Sequence, residues 1–193
     1  MPAIHSVAVF CGSQSGNDPV FRRAAQELGR GLAEAGIRLV YGGGRIGLMG
    51  TLADAVLAAG GRVLGVIPEF LTHREVAHPA VHRMVVTDSM HSRKQLMFAE
   101  SDAFISMPGG LGTLDETIEI ITWRQLGLHD KPVLLCNIAG SATPLLGAID
   151  SAIRLGFAHA GVRGIFEVAN SIPEVLSRLM QFPTPAEASA DRM

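Results

Sequence analysis

Short runs of apolar residues alternate along this chain with longer stretches in which apolar positions recur every three or four residues. The first pattern predicts strands of a sheet covered on both faces, and the second predicts amphipathic helices. Strands are expected at 4–10, 37–41, 62–67, 81–87, 103–107 and 133–137. Helices are expected at 19–35, 48–59, 89–99, 113–126, 143–156 and 173–181. Gly36 closes the first helix and Gly60-Gly61 stop the second, as glycine does where a chain must turn out of a helix. Alternation of this kind predicts an α/β fold: a Rossmann-like, doubly wound parallel sheet with helices on both faces, in a single domain. That domain is expected to span 1–181, with 182–193, rich in Pro, Ala, Ser and Glu, as a flexible C-terminal tail.

In open α/β sheets, ligands bind outside the carboxyl ends of the strands. The residues that follow three of the predicted strands are alike. Cys11-Gly12-Ser13-Gln14-Ser15-Gly16 follows the first, Gly42-Gly43-Gly44-Arg45-Ile46-Gly47 the second, and Pro108-Gly109-Gly110-Leu111-Gly112-Thr113 the fifth. Glycine lets backbone N–H groups converge on an anion, and a helix beginning behind the turn adds free amides and the positive end of its dipole. Leu48 and Thr113 lie near such helix starts, and Ser13, Ser15 and Thr113 offer hydroxyl donors. The turns therefore predict a phosphate-binding site. The second turn also satisfies the G-x-G-x-x-G pattern of dinucleotide binders, and an NAD-type oxidoreductase is one reading of it. It follows the wrong strand, however, and Pro68 breaks the third strand just before Glu69, the acidic residue placed to hold a ribose. No G-x-x-x-x-G-K-[ST] run is present.

Composition narrows the partners. A chain of 193 residues fits one domain, and 48% hydrophobic against 18% charged residues fits a large core. The net charge of −2 provides no field to attract nucleic acid or an anionic membrane, so a phosphate must be held by local geometry. No apolar run approaches the roughly 18 residues of a membrane span. Cys11 and Cys136 sit in apolar, strand-like surroundings and read as reduced core residues of a cytoplasmic protein. Asp115, Glu116 and Glu119 open the helix behind the third turn, where acidic residues also simply complement the dipole. Glu116 and Glu119 share a face, and Glu116 stands one turn from the proposed phosphate site. A carboxylate there needs a compensating cation, and Arg93-Lys94 is the candidate. Lys131, the second of two lysines, precedes Pro132 in a polar loop and is expected to be exposed. His73, His78, His82 and His91 show no metal-ligand spacing and read as a solvated loop.

Several of these blocks resemble the LOG (LONELY GUY) family. Residues 108–116 match its P-G-G-x-G-T-x-x-E motif, and residues 42–50, Met90-His91-Ser92-Arg93-Lys94 and 120–127 with Lys131-Pro132-Val133 match further blocks. The resemblance runs in order through about residues 4–181. It implies a phosphoribohydrolase that cleaves the N-glycosidic bond of N6-substituted adenosine 5′-monophosphates, releasing free base and ribose 5-phosphate. It also implies a homodimer with active sites near the subunit interface, a nucleotide monophosphate as the small-molecule partner, and neither cofactor nor metal. Carried over by position, Arg93 and Glu116 match the family's catalytic pair. Glu75, Lys94, Gly109, Gly110, Gly112, Thr113, Asp115 and Thr122 match substrate-contacting positions, with Ser13, Gly43, Gly44 and Gly47 added from the other two turns. Relatives have been labelled lysine decarboxylases, a reading that requires a Schiff-base lysine from Lys94 or Lys131. A nucleotide-binding carrier would need the glycine turns but not Glu116 and Arg93.

Overall fold

The computed structural model describes residues 4–72 and 76–182. Its elements run β1 (Ser6–Phe10), α1 (Pro19–Glu34), β2 (Arg38–Tyr41), α2 (Gly47–Ala58), β3 (Val63–Pro68), β4 (Arg83–Thr87) and α3 (Met90–Ala99). They continue with β5 (Ala103–Ser106), α4 (Leu111–Gln125), β6 (Val133–Cys136), α5 (Thr143–Arg154), β7 (Glu167–Ala169) and α6 (Ile172–Leu179). The strands pair in the order β4-β3-β2-β1-β5-β6-β7, every pair parallel. The chain winds outward from β1 to β4 and then returns to the other side of β1 with β5. This reversal makes the β1/β5 junction the place where a doubly wound sheet opens a crevice.

Both faces of the sheet are buried, which explains the unbroken apolar strands. One core cluster joins Val7, Val9, Leu39 and Ile105 to Leu28 and Leu32 of α1, Leu52 and Val56 of α2, and Val175 of α6. The other joins Ala8, Val40, Val66 and Phe104 to Met97 of α3 and Ile120 and Ile121 of α4. Alternate strand residues serve opposite faces, as the pleat requires. Local signals set the helix ends. Asp18 caps α1 by accepting the Val20 N–H at 2.8 Å, with Pro19 in the first turn. Ser89 caps α3 reciprocally with Ser92.

The predicted strands and helices are present with ends shifted by one to a few residues. One shift matters: α4 begins at Leu111, not Thr113, so Gly112 and Thr113 belong to its first turn. Strand β7 was not expected, because three residues at the sheet edge are too short to show a period. Of the proposed tail, Phe182 packs against the first core cluster, and 183–193 lie outside the described residues. Cys11 and Cys136 are both buried, and burial pushes the Cys136 thiol up to about 12. Among the described residues no helix is long and apolar enough to cross a membrane.

Lys131 departs from its expected exposure. Its Nζ lies 4.0 Å over the Phe98 ring and donates to the Phe98 carbonyl at 2.8 Å, so the aliphatic stem is partly buried. Beside it His129 packs edge-on to Phe98 and Phe104 and bonds the Ile120 carbonyl through Nε2 at 3.0 Å. Burial, above all, holds the His129 pKa below the ordinary histidine value. A depressed histidine favours the neutral form in the fold, so its contribution is present above the unfolded pKa of about 6.5 and is lost as pH falls below it. Thermal unfolding is expected to show a shallower loss of stability between pH 7 and pH 5 for His129→Gln than for the unsubstituted protein.

Candidate active site

The three glycine turns follow β2, β1 and β5, which are neighbours in the sheet, so the turns meet. Gly12 joins all three. Its N–H donates to the Pro108 carbonyl at 3.1 Å, and its carbonyl accepts the N–H groups of Leu48 and Met49 at 3.0 and 3.3 Å. The approach is too close for side chains. A Cβ on Gly47, whose φ is +63°, would lie 2.3 Å from the Ser13 carbonyl carbon, and one on Gly109 would lie 2.1 Å from Thr113 Oγ1.

This contact divides the turns by role. The first amides of α2 are taken by Gly12, so they are not available to a phosphate. Gly43 turns its carbonyl to the His78 N–H at 2.9 Å, and Gly44 forms an isolated bridge with Ala77. With Gly47 packed on Ser13 and the Leu48 and Met49 amides bonded to Gly12, the second turn is a structural brace. The first turn keeps Ser13 beside the crevice. The third supplies the helix start. The first bond within α4 runs from Leu114 N–H to Gly110 O at 3.0 Å, leaving the amides of Leu111, Gly112 and Thr113 ahead of it.

A cavity of about 260 Å³ opens against that helix start, lined by Ser13, Gly110, Leu111, Gly112 and Thr113 on one side. Arg93 and the half-buried Glu116 line it as well. Cys11, Gly42, Met49, Leu71, Met90 and Met97 complete an apolar part of the wall. A neighbouring cavity of about 350 Å³ shares Gly12, Ser13 and Gly110 and adds Ser15 and Gly109. Gly110 and Gly112 differ from the braced glycines: a Cβ on either would meet nothing within 4 Å. Packing does not require glycine at either position.

Arg93 is 5% exposed. Its Nε donates to the Val66 carbonyl at 3.2 Å and its Nη2 to the Gly42 carbonyl at 3.3 Å, so the ends of β3 and β2 hold the guanidinium. A Cβ on Gly42 would stand 2.1 Å from Nη2, so a side chain there would displace the guanidinium. Lys94, next in sequence, goes elsewhere. Its Nζ pairs with Asp115 at 2.7 Å and Glu119 at 3.1 Å, tying α3 to α4. Burial pulls its pKa down, but the hydrogen bonds and charges of the two carboxylates outweigh that and raise it. Neither Lys94 nor Asp115 lines the cavity. Thr122 is exposed and returns its hydroxyl to the Ile118 carbonyl at 2.8 Å, and Glu75 lies outside the described residues.

Sequence reasoning missed Gly42 and the apolar wall. Gly42 sat in view within the second turn, and Met90 opens the block that contains Arg93; nothing in the sequence singled out Leu71. The histidines behave differently from expectation too: His82 and His91 are exposed, but His78 is buried against Asp54, and His73 is outside the described residues. Among the described residues no group of three His, Cys, Asp or Glu could hold a metal ion.

A family model described as "Possible lysine decarboxylase" matches residues 49–179. A probable cytokinin riboside 5′-monophosphate phosphoribohydrolase of Oryza sativa subsp. japonica is 46% identical over 186 residues, covering 96% of this chain and 83% of the relative. A cytokinin riboside 5′-monophosphate phosphoribohydrolase of Arabidopsis thaliana is 45% identical over 186 residues, covering 96% and 87%. Among solved structures, the molybdenum cofactor carrier protein of Chlamydomonas reinhardtii superposes with a TM-score of 0.69 at 22% identity, covering 91% of this chain and 96% of that one. The molybdenum cofactor binding protein of Rippkaea orientalis gives 0.68 at 24%, covering 90% and 94%. At that identity these two establish the fold alone.

The glycines separate in a binding and stability experiment. Gly47→Ala and Gly109→Ala are expected to lower the melting temperature through backbone and side-chain collisions. Gly112→Ala, inside a helix, is expected to hold or raise stability by up to about 1 kcal/mol while weakening binding of AMP measured by calorimetry.

Proposed function

We infer the function from kinship and site together: the chain belongs to the LOG family of cytokinin riboside 5′-monophosphate phosphoribohydrolases and hydrolyses the N-glycosidic bond of an adenosine 5′-monophosphate, N6-substituted or plain. Water adds across the bond, its hydroxyl going to C1′ of the ribose and its proton to the departing base. The observation that carries the reading is the joint lining of one cavity by Glu116, Arg93 and the start of α4, in a chain about 45% identical to named phosphoribohydrolases over nearly its full length.

The chemistry passes through an oxocarbenium-like state on the ribose, which a neighbouring carboxylate stabilises. Glu116 takes that task and orients or deprotonates the attacking water. The amides of Leu111, Gly112 and Thr113, with Ser13, grip the 5′-phosphate, and this remote binding positions the scissile bond. Arg93, a permanent cation, offsets the negative charge of carboxylate and phosphate in one small cavity. Its fixed hold on Val66 and Gly42 supports a role that needs no rearrangement during reaction. Lys94, Asp115 and Glu119 frame the site by tying α3 to α4.

A lysine decarboxylase would need a lysine able to form a Schiff base with pyridoxal phosphate at the cavity. Lys94 is held as an ammonium by two carboxylates, and Lys131 donates to the Phe98 carbonyl over an aromatic ring. Neither lines the cavity with Glu116, so the residues do not fit that cofactor.

The protein acts as a homodimer in the cytoplasm. Supporting the first, Leu111, Leu114 and Ile118 on α4 and Leu126 at its C-cap form a stripe and are 86%, 38%, 49% and 67% exposed. Leu111 belongs to both stripe and cavity wall, which supports an interface beside the site. Supporting the second, Cys136 is a fully buried thiol. Ile118→Asp is expected to shift sedimentation from dimer to monomer.

Incubation with AMP and with N6-isopentenyladenosine monophosphate, followed by chromatography, is expected to yield free base. Glu116→Gln or Arg93→Ala is expected to reduce turnover on the order of a hundredfold or more with the fold intact. Adenosine, without the phosphate, is expected to be a very poor substrate. Near-normal turnover by Glu116→Gln would refute its role, and nucleotide binding without base release would favour a carrier.

A further inference from the structure

The segment between β3 and β4 holds a buried histidine that the mechanism does not use. His78 is 4% exposed, and both ring nitrogens are engaged. Nδ1 accepts the Ala80 N–H at 3.3 Å. An accepting Nδ1 carries no proton, so the proton sits on Nε2, which donates to Asp54 Oδ1 at 3.0 Å. Asp54 is on the outer side of α2 with its side chain 67% exposed. A buried imidazole and an exposed carboxylate thus join a loop to the helix behind the glycine brace.

The backbone around His78 leads directly to the cavity. Its N–H donates to the Gly43 carbonyl at 2.9 Å, one peptide from Gly42, whose carbonyl holds Arg93. Ala77 bridges Gly44, and its N–H donates to the Thr72 carbonyl at 3.1 Å. Thr72 follows Leu71, which lines the apolar wall of the cavity with Met49, Met90 and Met97. With the phosphate at the start of α4, that wall is the part suited to an uncharged, flat base. Any slack at His78 therefore passes to Leu71 on one side and to the Gly42–Gly43 peptide on the other.

We propose that His78 and Asp54 form a positioning pair that fixes Leu71 and the Gly42–Gly43 peptide, and so sets how tightly the base end of the nucleotide is held. The proposal rests on the nucleotide hydrolysis described above. The pair touches neither substrate nor reacting atoms, so its loss acts on binding before it acts on chemistry.

The experiment measures KM and kcat for base release from AMP and from N6-isopentenyladenosine monophosphate, with melting temperature in parallel. Asp54→Ala is expected to raise KM about threefold to tenfold, the scale of one lost hydrogen bond, with kcat within about twofold. His78→Asn keeps an acceptor for the Ala80 N–H but cannot reach Asp54, and is expected to raise KM alike. The double variant is expected to be no worse than the more affected single one, because both remove the same contact. Asp54→Asn retains an oxygen facing Nε2 and is expected to recover most of the loss. A wild-type KM for Asp54→Ala would overturn the proposal, as would a fall in kcat and melting temperature with KM unchanged. Should His78→Asn not fold, the exposed Asp54 variants decide alone. Should the unsubstituted protein release no base, the hydrolysis itself fails, and AMP dissociation constants of the same variants decide the positioning role separately.

Discussion

The peptide of Gly12 is the point on which the site depends. It donates to the turn after β5 and accepts from the first amides of α2, so three strand ends are fixed relative to one another by one residue. That arrangement satisfies backbone groups at a buried crevice, where an unmade hydrogen bond costs about 1–3 kcal/mol. It also decides which helix start faces a ligand. The start of α2 is occupied by protein and that of α4 is left to the cavity. The second turn thus resembles a nucleotide-binding loop in sequence while serving as a brace in space.

Charge at the site is partitioned by helix geometry. Asp115 and Glu119 stand one turn apart on α4 and together hold Lys94, whereas Glu116, about 100° around the helix from Asp115, is carried to the cavity. The adjacent cations on α3 divide in the same way. Lys94 reaches toward α4 across a partly solvated gap, and Arg93 is buried, its fork matched to the carbonyls of Val66 and Gly42. A flexible ammonium suits the strut, and a planar, always-charged guanidinium suits the fixed place beside the cavity. The apolar side of the same cavity carries three methionines, whose flexible side chains suit an uncharged surface.

Much of this was legible in the residues alone. Apolar runs of strand length alternating with helical periods determined a doubly wound parallel sheet, because a strand buried on both faces tolerates no polar side. Gly110 and Gly112 belong to the turn against which the cavity opens, and residues 108–116 with the Arg93 block carried the family resemblance. What the sequence could not express was partnership across the sheet. Whether Gly47 meets a phosphate or Ser13, whether Glu116 or Glu119 takes the lysine, and whether His78 is solvated or seated on Asp54 depend on residues far apart in the chain. Lys131 looked exposed beside Pro132 because a sequence window does not show the Phe98 ring that covers its stem. Local pattern therefore determined the elements and the chemical types available. Only tertiary packing decided which amides stay open and which charges pair, because those outcomes are fixed by close approach between strand ends and helices that sequence spacing does not encode.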